Sequence, residues 1–76
     1  MRKKTEETVR VNLIMPSSLM QDIEEVAEEH QTTVSDVFRK STKLMLSAEK
    51  SKKKGGGVYL QEDANSKSHK IDIFGL

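Results

Sequence analysis

The sequence predicts a mainly α fold with one β-strand: a strand followed by two helices, closed by a second copy of the chain through an intermolecular antiparallel two-stranded ribbon. Three observations carry this. Residues Val9 to Met15 alternate apolar and polar, and Pro16 ends the run. Two stretches with apolar residues at three- and four-residue steps follow at once. Finally, 76 residues with 34% hydrophobic and 4% aromatic content give too little core for one chain to close alone.

The alternation places Val9, Val11, Leu13 and Met15 on one face of the strand and Arg10, Asn12 and Ile14 on the other. A lone strand leaves a row of backbone donors and acceptors unpaired on each edge, and even a two-stranded hairpin is marginal without something to pack on. Pairing with the same strand of a second copy satisfies one edge and lets the helices cover the apolar face. The opposite face then carries Arg10 and Asn12 twice. These are the side chains shaped to read guanine and adenine edges in a DNA major groove. A solvated edge strand with a polar outer face is the competing reading of these residues taken alone.

Pro16 cannot donate to a ladder but suits the first turn of a helix. The spacing predicts the first helix from Ser17 to about His30, with Ser18 and Gln21 at capping-box distance. Leu19, Ile23, Val26, Ala27 and His30 make its apolar stripe, with His30 a boundary core position. Asp22, Glu24, Glu25, Glu28 and Glu29 make the other face, which has the wrong sign for phosphate and should point away from any nucleic acid. Acids late in a helix oppose its dipole, so packing rather than local charge must stabilise this one.

Gln31 and Thr32 form a short connection. Thr33 at the cap and Asp36 three residues on open the second helix. Val34, Val37, Phe38, Ser41, Leu44, Met45 and Ala48 share one face; Arg39, Lys40, Lys43 and Lys50 lie largely on the other, with Asp36 and Lys40 at the favourable i,i+4 spacing. Ser41 and Ala48, small and a heptad apart, suit close approach of two copies of this helix.

The helix should fray through Lys50–Lys54 and stop at the three glycines 55–57, which read as a flexible joint. Four segments follow: an arm at 1–7, a folded unit at 8–50, a basic and glycine-rich linker at 51–57, and a tail at 58–76. Within the tail, Val58–Leu60 and Ile71–Phe74 read as short strands around a polar turn, giving either a small β-hairpin or a disordered tail.

The net charge of +1 divides into opposed blocks: +2 over residues 1–10, −6 over 11–36, +6 over 37–57 and −1 over 58–76. Such a chain can bind a polyanion if the basic blocks lie together, although solvated helix faces have the same composition. No cysteine is present, so disulfides are excluded, and His30 and His69 are isolated from any ligand cluster; no metal or cofactor is expected. No apolar run is long enough for a bilayer, and the basic N-terminus lacks a signal segment, which leads to the expectation of a cytoplasmic protein without membrane contact. No nucleophile, base and oxyanion-hole pattern, phosphate loop or paired acids emerge, so no catalytic residue is assigned and an enzyme is not expected.

Val9-Arg-Val-Asn-Leu-x-Met-Pro16, an acidic amphipathic helix, a short turn and Thr33-x-Ser-Asp36 opening a second helix together resemble the ribbon-helix-helix DNA-binding family, of the Arc/MetJ and CopG type. The resemblance covers roughly residues 8–50. It implies an intertwined homodimer whose paired strands enter the major groove of double-stranded DNA. It assigns base reading to Arg10, Asn12 and Ile14, the dimer core to Val11, Leu13 and Met15, and phosphate gripping to Thr33, Val34 and Ser35. Helix-stripe residues Val37, Phe38, Ser41, Leu44 and Met45 complete the expected dimer core. Two departures stand out. Ile14 occupies a position often basic or polar in the family; it can pack on a thymine methyl group, or point elsewhere. Gln31 stands where a glycine is frequent.

The expected function is a sequence-specific transcriptional regulator, a repressor, acting as a dimer or a pair of dimers on DNA. The alternatives are an antitoxin or protein-interaction module whose residues 58–76 bind a partner, and a plasmid partition or relaxosome accessory protein using the same ribbon.

Overall fold

Two helices and a short two-stranded antiparallel sheet are found among the described residues. The computed structural model describes residues 7–76, so the expected arm lies, apart from Glu7, outside the described residues. Helix α1 spans Ser17–Glu29 and helix α2 spans Val34–Lys53. Strands β1 (Val58–Leu60) and β2 (His69–Ile71) follow, then a 3-10 turn at Ile73–Gly75. Among the described residues no helix is long and apolar enough to cross a membrane.

Helix α1 begins differently from the expectation. Pro16 is its cap residue and no side chain caps it; the Met20 N–H donates to the Pro16 carbonyl at 3.2 Å. The Ser18–Gln21 capping box does not form, because Ser17 already lies in the first turn and Ser18 is helical rather than extended. At the other end the chain leaves through a Schellman motif. The Thr32 N–H reaches the Ala27 carbonyl at 2.9 Å and the Gln31 N–H reaches the Glu28 carbonyl at 3.1 Å. This motif requires a left-handed residue, and Gln31 supplies it with φ +52°. His30, expected at the core boundary, is the exposed C-cap of the helix.

Helix α2 starts as its sequence implies. The Thr33 hydroxyl accepts from the Asp36 N–H at 3.0 Å. The Asp36 carboxylate, instead of returning to the Thr33 backbone, accepts from the Thr32 hydroxyl at 2.8 Å and from the Lys40 ammonium at 2.8 Å. Residues 51–53, expected to belong to the linker, are instead helical: the helix runs through Lys53 and ends in a second Schellman motif, with Gly56 N–H to Ser51 carbonyl at 2.8 Å and Gly55 N–H to Lys52 carbonyl at 3.0 Å. Gly55 takes the left-handed position at φ +90°.

The glycines therefore form a defined helix stop, and Gly56 and Gly57 are half-buried. The tail folds back as an antiparallel hairpin in the register Val58–Ile71, Tyr59–Lys70, Leu60–His69. Its second strand lies two residues earlier than the sequence pattern suggests, and Ile73–Gly75 turns instead of extending. Gln61 braces the loop by donating to the Ser66 carbonyl at 2.7 Å. Asp63 accepts from the Asn65 N–H and the Ser66 hydroxyl, both at 2.9 Å, which holds its carboxyl below the usual range. Val58, Ile71 and Ile73 line a cleft of about 300 Å³ together with Ala48. Ala48 thus faces the chain's own hairpin, a different neighbour from the second helix anticipated for it.

Helices α1 and α2 pack against one another, yet only Ala27 and Ala48 are buried among the described residues. The chain exposes 7165 Å², where a closed monomer of its mass exposes about 4,700 Å². Its radius of gyration is 15.5 Å against about 11 Å for a compact domain of this length. A single copy leaves its apolar stripes open to water.

Candidate nucleic-acid interface

The segment before Pro16 is not a strand within one chain. Residues 8–15 make no backbone hydrogen bond to any described residue. A strand is defined by its partner, and residues 8–15 do not join the one sheet among the described residues, which holds β1 and β2 alone. The alternation survives only in part, since Thr8 and Asn12 line the same groove as the apolar residues. Val9, Val11, Leu13 and Met15 all line one groove of about 830 Å³, closed on its far side by Met20, Val34 and Phe38. Val11 and Leu13 remain 72% and 64% exposed, so the groove is open.

Arg10 and Ile14 lie outside that groove, and Ile14 is fully exposed. Asn12, expected on their face, borders the groove instead. No partner ladder sets the pleat of this segment, which is the restraint that sorts alternate side chains strictly between faces. Arg10 and Asn12 are both exposed and make no side-chain hydrogen bond with a described residue.

The expected dimer-core residues of α2 divide between two grooves. Phe38 faces the one beside residues 8–15. Val37, Ser41 and Leu44 line another, of about 650 Å³, with Val26 at its α1 wall. Met45 is half-buried, Ser41 is exposed and Leu44 is 59% exposed. Both grooves have apolar floors and reach solvent along α2.

At the start of α2, the N–H groups of Val34 and Ser35 have no partner among the described residues, whereas that of Asp36 is held by Thr33. Unpaired N–H groups in the first turn favour an anion. Asp36 is a carboxylate in that same turn, and Lys40 offsets it. The Lys40 ammonium lies 2.8 Å from both carboxylate oxygens. That bond, with the Thr32 hydroxyl, holds the Asp36 carboxyl below its ordinary value.

Arg39 and Lys43 border the groove beside Asn12, one and two helical turns on from Ser35. Sequence reading placed them on the solvent face and gave them no role. The signal was the i, i+4, i+8 spacing from Ser35, which carries both cations along the edge of the helix that faces residues 8–15. Glu24, Glu25 and Glu28, with Gln21 beside them, line a separate shallow surface on α1. No group of three or more metal-ligating side chains occurs among the described residues. Comparison of the chain with family models, with curated proteins and with solved structures gave no match.

Proposed function

We propose that this chain is a sequence-specific double-stranded DNA-binding regulator, a repressor, that acts as a homodimer with a ribbon of two residue 8–15 segments in the major groove. The observation that supports it most is the state of that segment. Its backbone is unpaired with any described residue, its apolar side chains line an open groove together with Asn12, and Arg10 and Ile14 lie outside that groove. A second copy in antiparallel register would pair the backbone, fill the groove and set Arg10 and Asn12 on one outer surface in two-fold repeat.

In this reading Arg10 and Asn12 donate to base edges and Ile14 packs on thymine methyl groups. Val34 and Ser35 N–H groups, positioned by the Thr33 cap, hold a phosphate, and Arg39 and Lys43 add cationic contacts nearby. The acidic face of α1 points away from the duplex. The protein is a cytoplasmic binding protein without catalysis or cofactor.

Selection of bound sequences from a random duplex library, at 50 and 200 mM salt, tests the proposal together with sedimentation. Enrichment of a two-fold symmetric site by a species of twice the chain mass is the expected result. A monomer, or binding with no sequence preference, refutes it. A second reading, a protein-interaction module acting through residues 58–76, is favoured by the exposed apolar residues that follow the hairpin, Phe74 and Leu76, which are 76% and 94% exposed.

A further inference from the structure

The hairpin returns beside the end of α2 and forms with it a cleft of about 300 Å³, at the lower end of the range that small-molecule sites occupy. The more deeply placed part of its lining is apolar: Ala48 is buried, and Val58, Ile71 and Ile73 are half-buried. Charges stand at the rim. Glu49 and Lys52, three residues apart on α2, give the helix wall one acid and one base. Lys70 and Asp72, two residues apart where β2 ends, give the hairpin wall the same combination. Lys52, Lys70 and Asp72 are exposed and Glu49 is half-buried.

None of these four charges is paired with another. The ion pair found among the described residues is Asp36–Lys40, and no side-chain hydrogen bond there engages Glu49, Lys52, Lys70 or Asp72. Two cations and two carboxylates leave the rim without net charge, and this decides what the cleft can hold. An anion drawn to Lys52 and Lys70 is repelled by Glu49 and Asp72, and a cation meets the reverse. A wholly apolar molecule would take water from the rim charges and offer them nothing in return. A molecule with an ammonium and a carboxylate on one carbon offers each rim charge its opposite, and its side chain can cover the apolar floor.

We propose that this cleft binds a small zwitterion with an apolar side chain, of the class of the aliphatic α-amino acids. Its carboxylate lies towards Lys52 and Lys70 and its ammonium towards Glu49 and Asp72. The site uses neither residues 8–15 nor the start of α2, so it stands whether or not the chain binds DNA. An occupant bridges α2 and the hairpin, and so also holds the tail against the helix.

The test is a titration of the full chain, labelled with nitrogen-15 and free of DNA, followed through its amide resonances. The probes are leucine, glycine, leucinamide and isocaproate: glycine lacks the apolar group, leucinamide the carboxylate and isocaproate the ammonium. Leucine should shift the Gly57, Val58, Lys70 and Ile71 amides saturably and leave those of α1 in place. The other three should bind about tenfold more weakly, each having lost one of the contacts that leucine makes. Lys52→Gln with Lys70→Gln should abolish the preference for leucine over leucinamide, and Glu49→Gln with Asp72→Asn the preference over isocaproate, both with wild-type circular dichroism. No saturable shift at the cleft, or equal affinity for all four compounds, overturns the proposal on the wild-type chain alone. So do preferences that survive in folded double variants.

Discussion

Replacing Gln31 by glycine should stabilise the protein, although it deletes a side chain. Gln31 is the left-handed residue of the Schellman motif that ends α1, at φ +52°, and its N–H and that of Thr32 close the motif at 3.1 and 2.9 Å. An L-residue in this region is disfavoured by roughly 1–2 kcal/mol because Cβ approaches the following carbonyl oxygen. Glycine removes that cost but gives up about 0.5–1 kcal/mol through its freer unfolded chain. The net gain should be about 0.5–1 kcal/mol, and for a domain this small about 2–8 °C in melting temperature. The reciprocal change lies at the end of α2. Gly55 holds the same position with φ +90°, and although nothing lies within 4 Å of an added Cβ, Gly55→Ala should cost about 0.5–1 kcal/mol, the left-handed strain less the entropy that alanine removes from the unfolded chain. Thermal unfolding followed by circular dichroism at one fixed protein concentration measures both, since a dimer's midpoint depends on concentration. Gln31→Ala is the control, because alanine suffers the same left-handed strain as glutamine. If Gln31→Gly and Gln31→Ala melt together, the strain argument fails; if Gly55→Ala is neutral, α2 does not stop where the two carbonyl bonds place its end.

Leu13→Ala should lose the dimer at a cost of about 2–5 kcal/mol, seen by sedimentation at micromolar concentration, although Leu13 is 64% exposed in one copy; retention of the dimer would remove the ribbon from the interface. Arg10→Ala and Asn12→Ala should each weaken specific binding by about 1–3 kcal/mol without changing the fold, and unchanged affinity for a selected site would show that the ribbon is not the reader. Uracil in place of thymine opposite Ile14 should lower affinity, and Ile14→Ala should erase the difference between the two sites. Asp36→Asn should be destabilising at neutral pH. Because the folded Asp36 carboxyl titrates below its ordinary value of 3.8, its contribution is complete above that value and is lost as pH falls through the folded value, where wild type and variant should converge in urea titrations.

The sequence by itself determined the local elements that short-range chemistry controls. Two apolar stripes set α1 to within a residue of Ser17–Glu29, and the Thr33 cap with its Asp36 neighbour set where α2 begins, although α2 runs to Lys53, three residues past the expected end of the folded unit. The alternation of residues 9–15 was equally plain, and it still sorts Val9, Val11, Leu13 and Met15 into one groove. Where several local chemistries competed, spacing did not choose. Ser18 and Gln21 had capping distance, yet Pro16 already turned the chain, leaving Ser18 inside the helix. Three glycines had the composition of a loose joint, but Gly55 supplies the left-handed residue of the helix stop. Only the tertiary structure brought the hairpin back over Ala48 and set Lys70 beside Lys52, because that contact closes a loop between residues far apart in the chain. Likewise only the course of residues 8–15 beside α2 gave Arg39 and Lys43 a place at the groove. Periodicity tells which residues share a face, whereas which faces meet depends on the summed apolar area of all the elements, and in this chain two buried alanines leave much of that area open.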